Sequence, residues 1–253
     1  MSLNVLDLFS GIGGFSLGLE RAGMRTVAFC ECAPYCQAVL RKHWPGVPIH
    51  GDIRHFAGVE CDIICGGFPC QDISVAGKRA GIDGERSGLW SEYARLIRSL
   101  RPRYVIVENV AALLVRGIDR VIGDLAEIGY DAEWDCIPAS AIGAPHERDR
   151  LFLVAYAGRG AEFGGILPDR LDDFPRDSQW GAAQGVRTGR GWQRWLNQAA
   201  EAVDGQITRS DFRGVDDGLP EDMDRIGTLG NSIVPQIAEG IGRAIMRAEG
   251  LRR

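Results

Sequence analysis

Long hydrophobic runs are missing from these 253 residues. Apolar stretches such as Leu151 to Ala155 fall far short of the roughly 18 residues that span a bilayer, so no membrane partner is expected. The opening Met1-Ser2-Leu3-Asn4 has neither the basic nor the apolar region of a secretion signal, so a cytoplasmic chain is expected. Cysteine is sparse, with seven residues at positions 30, 32, 36, 61, 65, 70 and 136, and none form a Cys-x-x-Cys pair. With only four histidines, scattered away from them, the pattern speaks against zinc and against a disulfide framework, and no metal is assigned. Positive charge is also short: the formal net charge of -5 argues against a uniformly basic surface but leaves room for a local basic groove. What is present, 45% hydrophobic and 25% charged residues, fits a globular protein with one sizeable core and a small appendage, and excludes a disordered or collagen-like chain.

The first half alternates short apolar runs with helical spacing, the pattern of a parallel sheet covered by helices. Strands are expected at Val5 to Phe9, Thr26 to Cys30, Asp62 to Cys65, Tyr104 to Val107, near Ala132 to Ile137, and at Leu151 to Ala155. Helices are expected at Phe15 to Ala22, stopped by Gly23, from Pro34 to the basic end Arg41-Lys42, and from about Leu89 to Leu100. The fold class is α/β, a doubly wound, mostly parallel sheet. From Gly158 to Gly218 the chain turns rich in Gly, Asp, Arg and Gln, with Trp180, Trp192 and Trp195, which reads as a small loop-rich insert. Apolar spacing resumes at Ile233, Ile237, Ile241 and Ile245, a closing helix that packs back on the first domain. The expected division is a catalytic and cofactor-binding domain over 1–155, an insert over 156–222 and a returning segment over 223–253.

Between the first strand and its helix lies Phe9-Ser10-Gly11-Ile12-Gly13-Gly14, whose glycines let the backbone turn sharply and approach a ligand. The strict dinucleotide pattern would need glycine where Ser16 stands, which disfavours a pyrophosphate-binding enzyme. About twenty residues beyond Gly11, Glu31 ends the second strand, where an acid can accept hydrogen bonds from both ribose hydroxyls. Asp52, in Gly51-Asp52-Ile53, follows the next strand. Acids at the tips of adjacent strands would bind the sugar and exocyclic amine of an adenosine that carries no phosphate, and S-adenosylmethionine is such a ligand. The plainer reading is a tight strand-to-helix turn with exposed acids around it; the placing of Glu31 and Asp52 favours the site.

Gly66-Gly67-Phe68-Pro69-Cys70-Gln71 follows the strand expected at Asp62 to Cys65, so it leaves the sheet at the same edge, where ligands of open α/β sheets bind. Pro69 restrains its neighbour and presents Cys70 on a rigid bend. Only a thiolate attacks well, and a free thiol has a pKa of roughly 8.5, so positive charge from Lys78, Arg79, Arg86, Arg148 or Arg150 would be needed. Glu108-Asn109 ends the following strand, and a carboxyl group partly desolvated there can stay protonated and donate to a ring nitrogen. Thiolate, proton donor and methyl donor together suit one difficult reaction. Cytosine carbon-5 becomes nucleophilic once a thiolate adds at carbon-6 while N3 is protonated.

These motifs, in this order, resemble those of the DNA (cytosine-5)-methyltransferases. The cofactor turn corresponds to Asp7 to Gly14, the ribose acid to Glu31, the adenine segment to Gly51-Asp52-Ile53, and the nucleophile motif to Pro69-Cys70-Gln71. Glu108-Asn109-Val110, the arginine pair Arg148 and Arg150, and the closing Gly230-Asn231-Ser232 complete the set. The resemblance implies Cys70 as nucleophile, Glu108 as the acid on the cytosine edge, and Arg148 with Arg150 orienting the base. It implies that Phe9, Ser10, Gly11, Ile12, Gly13, Gly14, Glu31, Cys32, Asp52, Ile53, Pro69, Asn231 and Ser232 hold S-adenosylmethionine. Two positions depart from the family pattern: Cys32 replaces a frequent aromatic that stacks on adenine, and His146 stands where glutamine is common.

A base inside a duplex cannot present carbon-6 to a thiol, so the cytosine would have to be flipped out. The stretch Gln71 to Trp90 suits a closing lid, with Gly77, Gly81, Gly84 and Gly88 for mobility and Lys78, Arg79 and Arg86 for phosphates. Gln71, Ser74 and Asn109 join these as nucleic-acid contacts. The insert holds Arg187, Arg190, Arg194, Arg209 and Arg213, which can read guanine edges or bind phosphates in duplex DNA. A monomer is expected, and a companion restriction endonuclease and an orphan enzyme both stay open. The alternatives are the same chemistry on transfer RNA, a non-catalytic DNA-binding relative, and a small-molecule methyltransferase; the last has no use for Cys70 or a basic loop.

Overall fold

The computed structural model describes residues 2–69, 88–139, 149–157 and 233–251. The elements run β1 (Asn4–Leu8), α1 (Gly14–Arg21), β2 (Arg25–Cys30), α2 (Pro34–His43), β3 (Ile49–His50), a 3-10 turn (Ile53–His55) and β4 (Ile63–Gly66). They continue with α3 (Leu89–Leu100), β5 (Tyr104–Val110), α4 (Leu113–Arg116), α5 (Ile118–Ile128), β6 (Tyr130–Pro138), β7 (Asp149–Ala157) and α6 (Pro235–Ala248). The strands form one sheet in the order β3-β2-β1-β4-β5-β7-β6. All neighbours are parallel except β7, which runs antiparallel to both β5 and β6. The expected doubly wound, mostly parallel α/β class is the observed one.

Alternation along the strands explains why both faces are covered. Leu6, Leu8, Ile64, Val105 and Val107 join one buried cluster with Trp90, Tyr93, Leu96 and Ile97 of α3 and Val121, Leu125 and Ile128 of α5. Val5, Ile63, Cys65, Ile106, Phe152 and Val154 point the other way, into a cluster with Phe15 and Leu19 of α1 and Ile237, Ala238, Ile241 and Ile245 of α6. The C-terminal helix expected from the isoleucine spacing therefore packs against α1, and closely. A Cβ on Gly18 would lie 2.2 Å from the Pro235 carbonyl oxygen.

Three sequence expectations shift. The first strand stops at Leu8 because Phe9 sits in the left-handed region at φ 53, off the strand path. β5 runs on to Val110, so Glu108 and Asn109 lie inside a strand still paired with β7. Helix α5 was not expected, although Ile118, Val121, Leu125 and Ile128 carry its apolar spacing between Gly117 and Gly129. Among the described residues, no helix is long and apolar enough to cross a membrane. The expected insert lies outside the described residues, apart from Tyr156 and Ala157 at the end of β7.

Candidate active site

The β1–α1 turn is held from both sides. Below it, the Ser10 hydroxyl donates to the Asp7 carbonyl at 2.7 Å, and the Gly13 N–H donates to Ser10 O at 2.9 Å. Ahead of it, Glu31 at the end of β2 accepts the Gly11 N–H on Oε2 and the Ala33 N–H on Oε1, each at 2.7 Å. A carboxylate offers about four lone-pair sites. Two N–H groups therefore fix Glu31 and still leave acceptor capacity for a diol. Among the described residues, no atom lies within 4 Å of where a Cβ on Gly11, at φ 54, would stand, so these leave space in front of the turn. Beneath it, Asp7 is fully buried and accepts the Ser16 hydroxyl on Oδ2 at 2.7 Å. Burial pushes its carboxyl up to about 7, against the lowering effect of the Ser16 hydrogen bonds.

The neighbouring acid behaves differently. Asp52 caps the 3-10 turn through the Arg54 N–H at 3.0 Å and also grips the Arg54 guanidinium, with Nε at 3.0 Å from Oδ1. The Arg54 hydrogen bonds hold its carboxyl down at about 2. Ile53 is 4% exposed and packs into the core, while Cys32, beside Glu31, is exposed. The 3-10 turn is tied to α3 by Arg95, which donates to the carbonyls of Ile53 and Phe56 at 2.9 Å each.

Glu108 reaches the same edge from β5. It is 8% exposed, and Arg150 of β7, a diagonal neighbour across the antiparallel pair, places Nε 2.9 Å from its Oε1. Its Oε2 would lie 2.6 Å from a Cβ on Gly67, so glycine there makes room for the carboxyl. The sequence reading did not include this ion pair. Asn109, expected among the nucleic-acid contacts, is 3% exposed. Its Nδ2 donates to Phe68 O at 3.1 Å and its Oδ1 accepts the Val110 N–H at 2.8 Å, so it supports the segment that leads to Pro69.

One cavity joins the β1–α1 turn to Glu108, while Glu31, Cys32, Asp52, Ile53 and Arg150 are not in its lining. Its lining is Phe9, Ser10, Gly11, Gly14, Phe15, Gly67, Glu108 and Ile233, and it encloses about 320 Å3 with the open solvent at its mouth. Five of the eight lining residues were expected in the site from sequence; Phe15, Gly67 and Ile233 were not. Gly67 lay within the Gly66-Gly67-Phe68-Pro69 segment and Ile233 directly after Asn231-Ser232, so both had a signal. Cys70, Gln71, Ser74, Lys78, Arg79, Arg86, Arg148, Asn231 and Ser232 lie outside the described residues. Among the described residues, no group of three or more His, Cys, Asp or Glu side chains could hold a metal ion.

Residues 3–182 match the family described as C-5 cytosine-specific DNA methylase. The chain is 40% identical over 162 residues to the type II methyltransferase M2.BsuMI of Bacillus subtilis, a segment covering 60% of this chain and 42% of that protein. It thus spans about two fifths of that relative's length. Against the type II methyltransferase M.NgoMIV of Neisseria gonorrhoeae it is 28% identical across 98% of both chains. The solved structure of the Entamoeba histolytica methyltransferase EhMeth superposes with a TM-score of 0.65 at 14% identity, covering 100% of each chain, which shows a shared fold.

Proposed function

The chain belongs to the C-5 cytosine-specific DNA methylases, and from that premise we propose that it methylates carbon-5 of a cytosine flipped out of duplex DNA, through a thioether between Cys70 and the base. One observation supports the reading above the others: the β1–α1 turn and Glu108 line the same cavity.

The residues of the β1–α1 turn and those beside it suit S-adenosylmethionine. Glu31, held by two backbone N–H groups, keeps acceptor capacity for a ribose diol, and the space in front of Gly11 admits a ligand against the backbone. Asp52, Ile53, Cys32 and Pro69, with Asn231 and Ser232, complete the proposed pocket. When bound, the cofactor supplies an electrophilic methyl group on a sulfonium.

The chain's own residues do the rest. Cys70, as thiolate, adds to carbon-6 of the cytosine, and the electrons of the 5,6 double bond move toward N3, where Glu108 delivers a proton. Arg150, fixed on Glu108, keeps that carboxyl directed at the base edge, with Arg148 beside it in sequence orienting the ring. Carbon-5 of the resulting enamine is then methylated. Loss of the carbon-5 proton to water restores the double bond as the carbon-6 to sulfur bond breaks, the Cys70 thiolate departs and N3 returns its proton to Glu108. Gln71, Ser74, Lys78, Arg79 and Arg86 hold the duplex around the extruded nucleotide, while the insert over 156–222 reads the sequence. We assign a cytoplasmic monomer that works beside a companion restriction endonuclease.

Incubation with a labelled methyl donor and, separately, duplex DNA and transfer RNA tests the proposal. Label on carbon-5 of cytosine in the duplex supports it. Label confined to the RNA, or on another base atom, overturns it.

A further inference from the structure

Trp44 belongs to none of the motifs that carry the functional reading, yet it touches the cofactor turn. It ends α2, where its N–H donates to the Leu40 carbonyl at 2.8 Å. From there the indole lies against the β1–α1 turn. A Cβ placed on Gly13 would stand 2.6 Å from both Cη2 and Cζ3 of the ring and 3.1 Å from Leu40 Cδ2. Gly13 is itself at φ 86, so the ring and the backbone each exclude a larger residue there.

The ring is anchored on its other sides. Its Nε1 donates to Glu20 Oε2 at 2.9 Å, near the end of α1, and the other oxygen of Glu20 accepts the Thr26 N–H of β2 at 3.3 Å. Phe29 of β2 meets it edge-on, with centroids 5.4 Å apart and an interplanar angle of 66°. Contact with Gly13 is passed along the turn: Gly13 N–H reaches Ser10 O, and Gly11 N–H reaches the Glu31 carboxylate. Trp44 is not among the residues that line the cavity. It acts on the pocket through Gly13.

We infer that Trp44 is a positioning residue for the methyl donor: its indole, braced by Glu20 and Phe29, fixes Gly13 and so holds the Ser10 to Gly14 turn and the Glu31 carboxylate in register for binding. A glycine-rich turn has many alternative conformations, and removing the ring takes away the two nearest contacts on its inner side and leaves Leu40. Cofactor binding then has to order the turn, which weakens affinity and leaves the chemical step alone.

The inference rests on the cofactor reading above, and its test separates the two. S-adenosylhomocysteine is titrated calorimetrically into the full chain and into Trp44→Ala and Trp44→Phe, with steady-state methylation of duplex DNA measured in parallel. Trp44→Ala should raise the cofactor Kd and KM about tenfold, while kcat at saturating cofactor and the KM for DNA stay within about twofold. Trp44→Phe, which keeps an aromatic face toward Gly13 but loses the bond to Glu20, should recover most of the affinity. Unchanged affinity in Trp44→Ala overturns the inference, and so does a common fall in kcat and both KM values. Should Trp44→Ala not fold, Trp44→Leu keeps apolar bulk without the flat ring and decides in the same way. Failure of the unaltered chain to bind S-adenosylhomocysteine overturns the cofactor assignment and, with it, the role given to Trp44.

Discussion

Arg150 and Glu108 sit diagonally across the antiparallel strands β5 and β7, with Nε of one 2.9 Å from Oε1 of the other, and the carboxyl of that pair faces the cavity shared with the β1–α1 turn. The β5–β7 pairing thus holds the proposed proton donor at the site already oriented. Glu108→Gln keeps the shape of the side chain and removes its proton. A group acting as general acid contributes about 10²–10⁴ in rate, so kcat should fall by that factor while the Kd for S-adenosylhomocysteine changes little. A loss confined to cofactor affinity would remove Glu108 from the chemistry.

Glu31 is fixed by the N–H groups of Gly11 and Ala33. Glu31→Ala deletes both the proposed ribose acceptor and the brace of the turn. Hydrogen bonds to charged groups contribute about 1.5–3 kcal/mol, so cofactor affinity should weaken by roughly ten- to a hundredfold in calorimetry. Undiminished affinity would mean that the ribose lies elsewhere.

Asp7 sets a pH dependence. Its carboxyl, buried under the turn, is raised from the ordinary 3.8 to about 7. The native chain therefore keeps this proton where the unfolded chain has released it. Between about pH 4 and pH 7 this group makes stability fall as pH rises, and above that range the full penalty of a buried charge persists. Asp7→Asn carries no such charge, so its stability relative to the unaltered protein should improve steadily from pH 4 to pH 8 in denaturant titrations. A stability difference that does not vary with pH would show that Asp7 ionises in the fold as it does in water.

Gly18 is where α1 and α6 touch, with a prospective Cβ 2.2 Å from Pro235 O, 2.7 Å from Ala238 Cβ and 2.8 Å from Glu239 N. Two of these atoms are backbone and cannot rotate away. Gly18→Ala should cost about 1–3 kcal/mol through overpacking, despite the better helix propensity of alanine. The readout is the thermal midpoint, at about 2–4 °C per kcal/mol for a chain of this size. An unchanged midpoint would mean that the two helices separate freely.

Much of this was legible because strands buried on both faces read as continuous apolar runs. Ile63 to Cys65 and Tyr104 to Val107 announce themselves that way, Val5 to Leu8 does so but for the buried Asp7, and the acids Glu31 and Glu108 stand at or near the carboxyl ends of β2 and β5. The insertion of β7 between β5 and β6 was not legible, since strand order depends on partners far apart in sequence. The Glu108 to Arg150 pair depends on that order and was missed with it. Phe9 in the left-handed region has no sequence signature, because only surrounding packing makes a non-glycine residue accept it. Trp44 reads as an ordinary helix-end aromatic until the fold lays it against Gly13. Helix α5 had a clear apolar period and was passed over all the same.

The most direct test of the central claim is a duplex carrying 5-fluorocytosine in place of cytosine, incubated with S-adenosylmethionine and protein already shown to methylate the ordinary duplex. Fluorine at carbon-5 cannot leave as a proton does, so the cycle should stop with the base bonded to sulfur, and mass spectrometry should find a denaturation-stable adduct on the peptide containing Cys70. An active preparation that yields no adduct, or an adduct on any other residue, contradicts the proposed mechanism.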